Sequence, residues 1–234
     1  MQPWNAPPRP ADYAEEMLVT AIVEGDYPPG STLPGERDLA AQLGVTRPTL
    51  REALQRLARD GWLTIHQGKA TVVNDFWREG GLNVLSTLVR HNLPLPPDFI
   101  PDLLRVRLAM APDYTRMAVE NDPETIGERL HQHTMLPDTA EAFTAFDWTL
   151  QHELTLASGN PIYPLILNGF AALYQKMGLR YFSAKTARAA SRDYYAALLT
   201  AFEARDAATA AHLTQEIMEH SIHLWQHATD APHA

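Results

Sequence analysis

The sequence contains no cysteine. Disulfide staples, thiol catalysis and thiolate-based zinc sites are therefore excluded. It also lacks any run of the roughly eighteen uncharged apolar residues that a membrane span requires. The opening stretch MQPWNAPPRPADYAEE has no apolar core of the kind a signal peptide carries. The expectation is a cytoplasmic chain with no membrane partner. No Gly-rich phosphate loop, no nucleophile–base–orienter set and no convincing pair of catalytic carboxylates occurs, which argues against an enzyme. His131 and His133 form the one close histidine pair in the middle of the chain, and nothing nearby in sequence completes a site around them. No internal repeat is present, and no bound cofactor is called for.

Net positive charge is lacking too: 19 Lys and Arg stand against 28 Asp and Glu, for a formal charge of −9. Taken as a sum, this speaks against nucleic acid, but distribution matters more than the total. Between Val45 and Lys69 the cations Arg47, Arg51, Arg56, Arg59 and Lys69 face only Glu52 and Asp60. A basic window thus sits inside an acidic chain.

That window lies in a recognisable order of elements. Residues 1–10 hold four prolines and read as a loose arm. Tyr13, Met17, Leu18, Ala21 and Ile22 recur at helical spacing from Ala11 to about Glu24, and Gly25 with Tyr27-Pro28-Pro29-Gly30 ends that helix. Glu36 to Leu43 fits a second helix, stopped by Gly44. Thr46 is a natural N-cap for a third, Arg47 to Asp60, with Pro48 tolerated in the first turn and Leu50, Ala53, Leu54 and Leu57 as its buried stripe. Two β-prone runs, Trp62–Ile65 and Thr71–Val73, then flank His66-Gln67-Gly68-Lys69 and predict a hairpin. Residues 76–81 read as a linker. From Leu82 to residue 228 the chain reads as helices, broken at Leu93–Pro97, Asn121-Asp122-Pro123, Leu136-Pro137-Asp138 and Ser158-Gly159-Asn160-Pro161, with Asn160 as a cap. Residues 229–234 read as a frayed tail. The predicted fold is therefore mainly α: a winged helix-turn-helix at residues 1–75, and an all-helical bundle at 82–228.

Helix, turn, helix and hairpin is the order that places a second helix in the major groove with its N-terminal residues at base edges. Those residues here are Thr46, Arg47, Pro48, Thr49 and Arg51. Arg47 and Arg51 are one turn apart, opposite the leucine stripe. An arginine can fork onto guanine O6 and N7, and threonine hydroxyls reach phosphate or base. Arg37 is placed for backbone phosphate, and Gly68 and Lys69 for the wing tip. The plain alternative is an amphipathic helix with solvated arginines; the order of elements, the basic face and the basic tip together favour DNA.

The stretch PGERDLAAQLGVTRPTLREALQRLARDGWLTIHQGKATVV resembles the GntR-type winged helix across about residues 10–75. The resemblance implies DNA contact by Arg37, Arg47, Arg51 and Gly68, assisted by Thr46, Thr49, Gln67 and Lys69. It also implies a homodimer on a palindromic double-stranded operator. Farther on, NDFW, GLNVLSTL, LLRVR, ASGNPIYPLILNG, LYQKMGLRYF and HSIHLW resemble the acyl-CoA-responsive members of the FadR subfamily, which regulate fatty acid metabolism. Many related effector domains bind a metal through one Asp and three His. Here Asp147 and His220 match, Gln151 replaces one histidine, His152 is out of register, and Asp193-Tyr194-Tyr195 supplies none. No metal is expected, and His223, His227 and His233 read as exposed polar positions.

By position, the resemblance implies that Arg107, Tyr181, Ser221 and Trp225 line a pocket for long-chain acyl-CoA. Met218 and His220 stand where the subfamily carries glycine and glutamate, in the region expected to meet the CoA portion. Chemically, Phe170, Leu173, Tyr174, Tyr181 and Phe182 could form an apolar channel, with Arg107 and Arg180 meeting anionic or polar groups. The same aromatics at helical spacing could equally be ordinary core. A regulator sensing a small carboxylate, held directly or through a metal, is the competing expectation.

Overall fold

The structure is a computed structural model that describes residues 9–91, 93, 95–96 and 98–230, with side chains through Trp225. The proline-rich arm before Arg9, the last four residues, and the side chains of His227 and His233 lie outside the described residues. Two compact units divide the chain between Pro94 and Leu95.

The first unit opens with α1 (Pro10–Glu24), α2 (Glu36–Leu43) and α3 (Arg47–Arg59). The first of these begins within the expected arm, because Pro10 occupies the first turn, where a missing N–H costs no hydrogen bond. In α3, Thr46 accepts a hydrogen bond from the Thr49 amide, and Leu50, Ala53, Leu54 and Leu57 are buried. Each buried leucine contributes about 2 kcal/mol of transfer free energy. Strands β1 (Leu63–Thr64) and β2 (Val72–Val73) pair antiparallel, Leu63 opposite Val73 and Thr64 opposite Val72. On its other edge Val72 bridges to Thr32, so the segment after Gly30 backs the hairpin, a pairing the sequence pattern did not announce.

Within the expected linker the chain forms a short helix, α4 (Phe76–Glu79), followed by α5 (Asn83–Arg90). Both belong to the first unit. Phe76 stacks on the fully buried Trp62, with ring centres 4.5 Å apart. Gly61 turns the chain here at φ +90°, and a Cβ on it would come within 2.9 Å of the Gly80 backbone. From α5, Asn83 donates to Asp60 at 3.3 Å and Arg90 donates to the buried Glu15 at 3.0 Å. These long-range polar ties hold α5 against α1 and the end of α3.

The second unit contains α6 (Phe99–Asn121), α7 (Pro123–His131), a 3-10 turn (Gln132–Met135), α8 (Ala140–Ala157), α9 (Ile162–Gly169), α10 (Ala171–Ser183), α11 (Lys185–Glu203) and α12 (Ala207–Asp230). Local signals set its corners. Asp122 caps α7 through the Thr125 amide, and Asn160 accepts from the Ile162 amide ahead of α9. Helices α6 and α12 pack along each other most extensively, with α8 against α10 and α11 against α12. Helix α12 continues to Asp230, past the point where fraying was expected. No strand occurs among the described residues of this unit, and no described helix is long and apolar enough to cross a membrane.

Candidate nucleic-acid interface and ligand cavity

In the first unit, α3 presents Arg47, Arg51 and the Thr46–Thr49 pair to solvent at its N-terminal end. The two threonine hydroxyls lie 2.8 Å apart. One donates to the other, which leaves a single O–H free for an outside acceptor. Arg47 is exposed and, among the described residues, has no acidic partner. Arg51 differs: its Nε donates to Glu36 Oε2 at 2.7 Å, across from the start of α2. Arg37 is exposed, its Nε on the neighbouring Asp38 at 3.0 Å. Gln67, Gly68 and Lys69 form the exposed hairpin tip, where Gly68 sits at φ +72°. The expected DNA-contacting residues thus fall on α2, the start of α3 and the wing. Glu36 was not anticipated, because its partner is fifteen residues away. Arg56, also in the basic window, is engaged inward with Asp12, Glu15 and Glu52.

The second unit holds a cavity of about 70 Å³. Arg107 from α6, Tyr181 from α10, and Met218, Ser221 and Trp225 from α12 all line it, with Ile100, Leu103, Met177 and Ile217 among the apolar walls. His220 does not. It is exposed on α12 and forms no part of the wall. Helical geometry explains this: Ile217, Met218, Ser221 and Trp225 share one stripe at 3.6 residues per turn, and His220 falls roughly a third of a turn away. Tyr174 and Phe182 also line the cavity, whereas Phe170 and Leu173 are buried elsewhere. Arg180 is exposed, with its guanidinium 5.0 Å from the Trp225 ring centre. Tyr181 and Ser221 bring their hydroxyls within 3.1 Å, which links α10 to α12.

The cavity's inner end is polar. Asp147 accepts hydrogen bonds from Tyr174 and, at 2.8 Å, from Tyr195. Arg107 Nη2 lies 4.0 Å from Asp147 and 3.5 Å from the Tyr174 hydroxyl, and Arg107 Nε is buried without a partner. Burial works against the arginine's charge, but Tyr174 and Asp147 outweigh it and hold the guanidinium above its usual value. Burial first, then the Asp147 charge, push the Tyr174 and Tyr195 phenols well above the ordinary range. Both tyrosines are therefore neutral donors. Gln151, where metal-binding relatives would carry histidine, is fully buried and accepts from Tyr114 at 2.5 Å. Asp147 and Gln151 Oε1 thus accept from phenols. Of the histidine pair, His133 bonds the Leu130 carbonyl and His131 lies near Glu203, apart from this cluster.

A winged helix-turn-helix with a basic third helix, joined to an all-helical unit, is the architecture of a class of transcription regulator. Residues 10–73 match the family of bacterial regulatory proteins called gntR, and residues 74–232 match the FadR C-terminal domain. The chain belongs to the GntR family, in the group that carries this FadR-type domain. It is 50% identical over 186 residues to the fatty acid metabolism regulator protein of Shewanella pealeana, covering 80% of this chain and 78% of that one. The same-named protein of Yersinia enterocolitica is 49% identical over 191 residues, 82% and 80% of the two chains. A solved structure of Lar, which controls expression of the agr system in Listeria monocytogenes, shares the fold. Its TM-score is 0.58 at 15% identity, over 95% of this chain and 99% of that one. The protein is accordingly a DNA-binding regulator of the FadR type rather than an enzyme.

Proposed function

We propose that this chain is a homodimeric regulator of fatty acid metabolism whose affinity for a palindromic operator falls when long-chain acyl-CoA binds the helical unit. The observation that carries this reading is the cavity itself: apolar walls from α6, α10 and α12, with polar groups at Arg107, Tyr181 and Ser221. An acyl chain replaces water along the apolar wall, while hydroxyls and the guanidinium meet its polar end. Both the Tyr181–Ser221 link and the Arg180–Trp225 contact join α10 to α12. A ligand that inserts there binds better to a state in which these helices stand apart, and only such differential affinity shifts an equilibrium. The likeness over four-fifths of the chain to a protein named as a regulator of fatty acid metabolism supports the regulated process. In a two-fold dimer, the paired α3 helices meet half-sites about one DNA turn apart.

Titration calorimetry with oleoyl-CoA, free CoA and oleate, beside operator release in a mobility-shift assay, tests the proposal. Saturable binding of oleoyl-CoA with loss of the DNA complex is expected, and Trp225→Ala should weaken both while leaving DNA affinity intact. Failure of oleoyl-CoA to bind or to release DNA overturns it. A second reading, a small carboxylate at the inner end, is favoured by the unpartnered Arg107 Nε. Saturable binding of a short dicarboxylate in place of oleoyl-CoA would select that reading.

A further inference from the structure

We infer that Glu36 is a positioning residue for base reading: it holds the Arg51 fork in the orientation that a guanine requires. The inference rests on the reading of α3 as the helix that enters the major groove. Glu36 opens α2, and Arg51 lies in the second turn of α3. The bond between them uses Arg51 Nε and Glu36 Oε2 at 2.7 Å. A guanidinium carries five N–H donors in a rigid plane. With Nε committed to Glu36, the four terminal hydrogens remain, and no other residue among those described engages them. These are the hydrogens of an end-on fork to guanine O6 and N7.

Stability does not explain the pair. The side chains are 64% and 41% exposed, and exposed ion pairs add little to folding free energy. Electrostatics alone would disfavour it, since a carboxylate beside the reading helix repels phosphate. Arg47, one turn earlier on the same helix, has no such tether. Glu36 therefore exchanges general DNA attraction for a fixed Arg51 plane, which lowers the ordering cost of a bidentate contact.

This predicts opposite signs for specific and general binding. The experiment uses the full-length chain and a duplex that it selects from a randomised library, compared with a scrambled duplex at several salt concentrations. Failure of the wild-type chain to enrich any sequence would count against the DNA-reading assignment of α3 itself and would take the positioning role with it. Given enrichment, E36Q should lose about tenfold in preference for the selected duplex. Its affinity for scrambled DNA should hold or rise. The relaxed base position should be the one that R51A relaxes, and E36Q/R51A should discriminate no worse than R51A. E36Q binding both duplexes more tightly by the same factor, with base preference unchanged, would overturn the proposal. A thermal melt of E36Q and a parallel E36A variant separate misfolding from loss of reading: both variants folded and both fully selective would also overturn it.

Discussion

Arg107 and Asp147 face each other across the inner end of the cavity at 4.0 Å, with the Tyr174 hydroxyl bonded to both. Both charges are largely buried, with side-chain exposures of 14% and 13%. Asp147→Asn removes the counter-charge from a buried guanidinium and one strong acceptor from two phenols. The expected cost is about 3 kcal/mol, read from urea unfolding. Adding Arg107→Met should recover part of that loss, since the stranded cation is gone. A single variant as stable as the wild type would show that Arg107 is already compensated by solvent.

Gly178 on α10 lets that helix lie close on α8. A Cβ at this position would meet Thr144 Cγ2 at 2.7 Å and Oγ1 at 3.2 Å. Thr144 is itself buried, its hydroxyl bonded to the Ala140 carbonyl. Gly178→Ala should therefore cost about 1–3 kcal/mol through overpacking, despite the better helix propensity of alanine. Thr144→Ala in the same chain should relieve most of the clash. Non-additive melting temperatures in the double variant are the diagnostic, and strict additivity would place the strain elsewhere.

Glu15 on α1 is buried, and receives Arg90 of α5 at 3.0 Å and Arg56 of the reading helix at 3.5 Å. Glu15→Gln keeps the shape but removes the charge both arginines face. A destabilisation of about 2–3 kcal/mol is expected, at the low end for broken buried pairs because both arginines keep some solvent. Hydrogen exchange of α5 amides should rise more than that of α3, which retains its leucine core. Equal protection in both helices would mean that apolar packing, not Glu15, holds α5.

His91 ends α5 with its side chain only 7% exposed. Burial is the largest influence and lowers its affinity for protons below the ordinary value of 6.5, against the pull of Glu16 and Glu15. Arg90 lowers it further, and Asp12 weakly opposes. The folded chain thus binds this proton less readily than the unfolded chain. Its stabilising contribution is complete above about pH 6.5 and is lost as pH falls through the depressed folded value. Melting temperature should drop as pH falls below about 6.5, and His91→Gln should flatten that drop. An identical pH profile in the variant would assign the titration to another group.

Much of the first unit was legible from residue order alone. Thr46 as a cap, the leucine stripe of α3 and a glycine at the wing tip are signals whose physics is local. A cap reaches three residues, and a stripe repeats every turn, so no tertiary contact is needed to read them. The helical character and corners of the second unit followed similarly from Asn160 and Asp122. What the chain order could not reveal was pairing between distant elements. Glu36 meets Arg51, Glu15 gathers Arg56 and Arg90, and Asp147 draws phenols from α10 and α11, all through packing angles that no spacing encodes. His220, placed by its position in the family pattern in the region expected to meet the CoA portion, falls on the exposed side of α12. Sequence determined most of the elements and their corners, because hydrogen bonding and capping act within a turn or two. Tertiary structure decided which charges are buried, paired or free, because these depend on side chains brought together over dozens of residues.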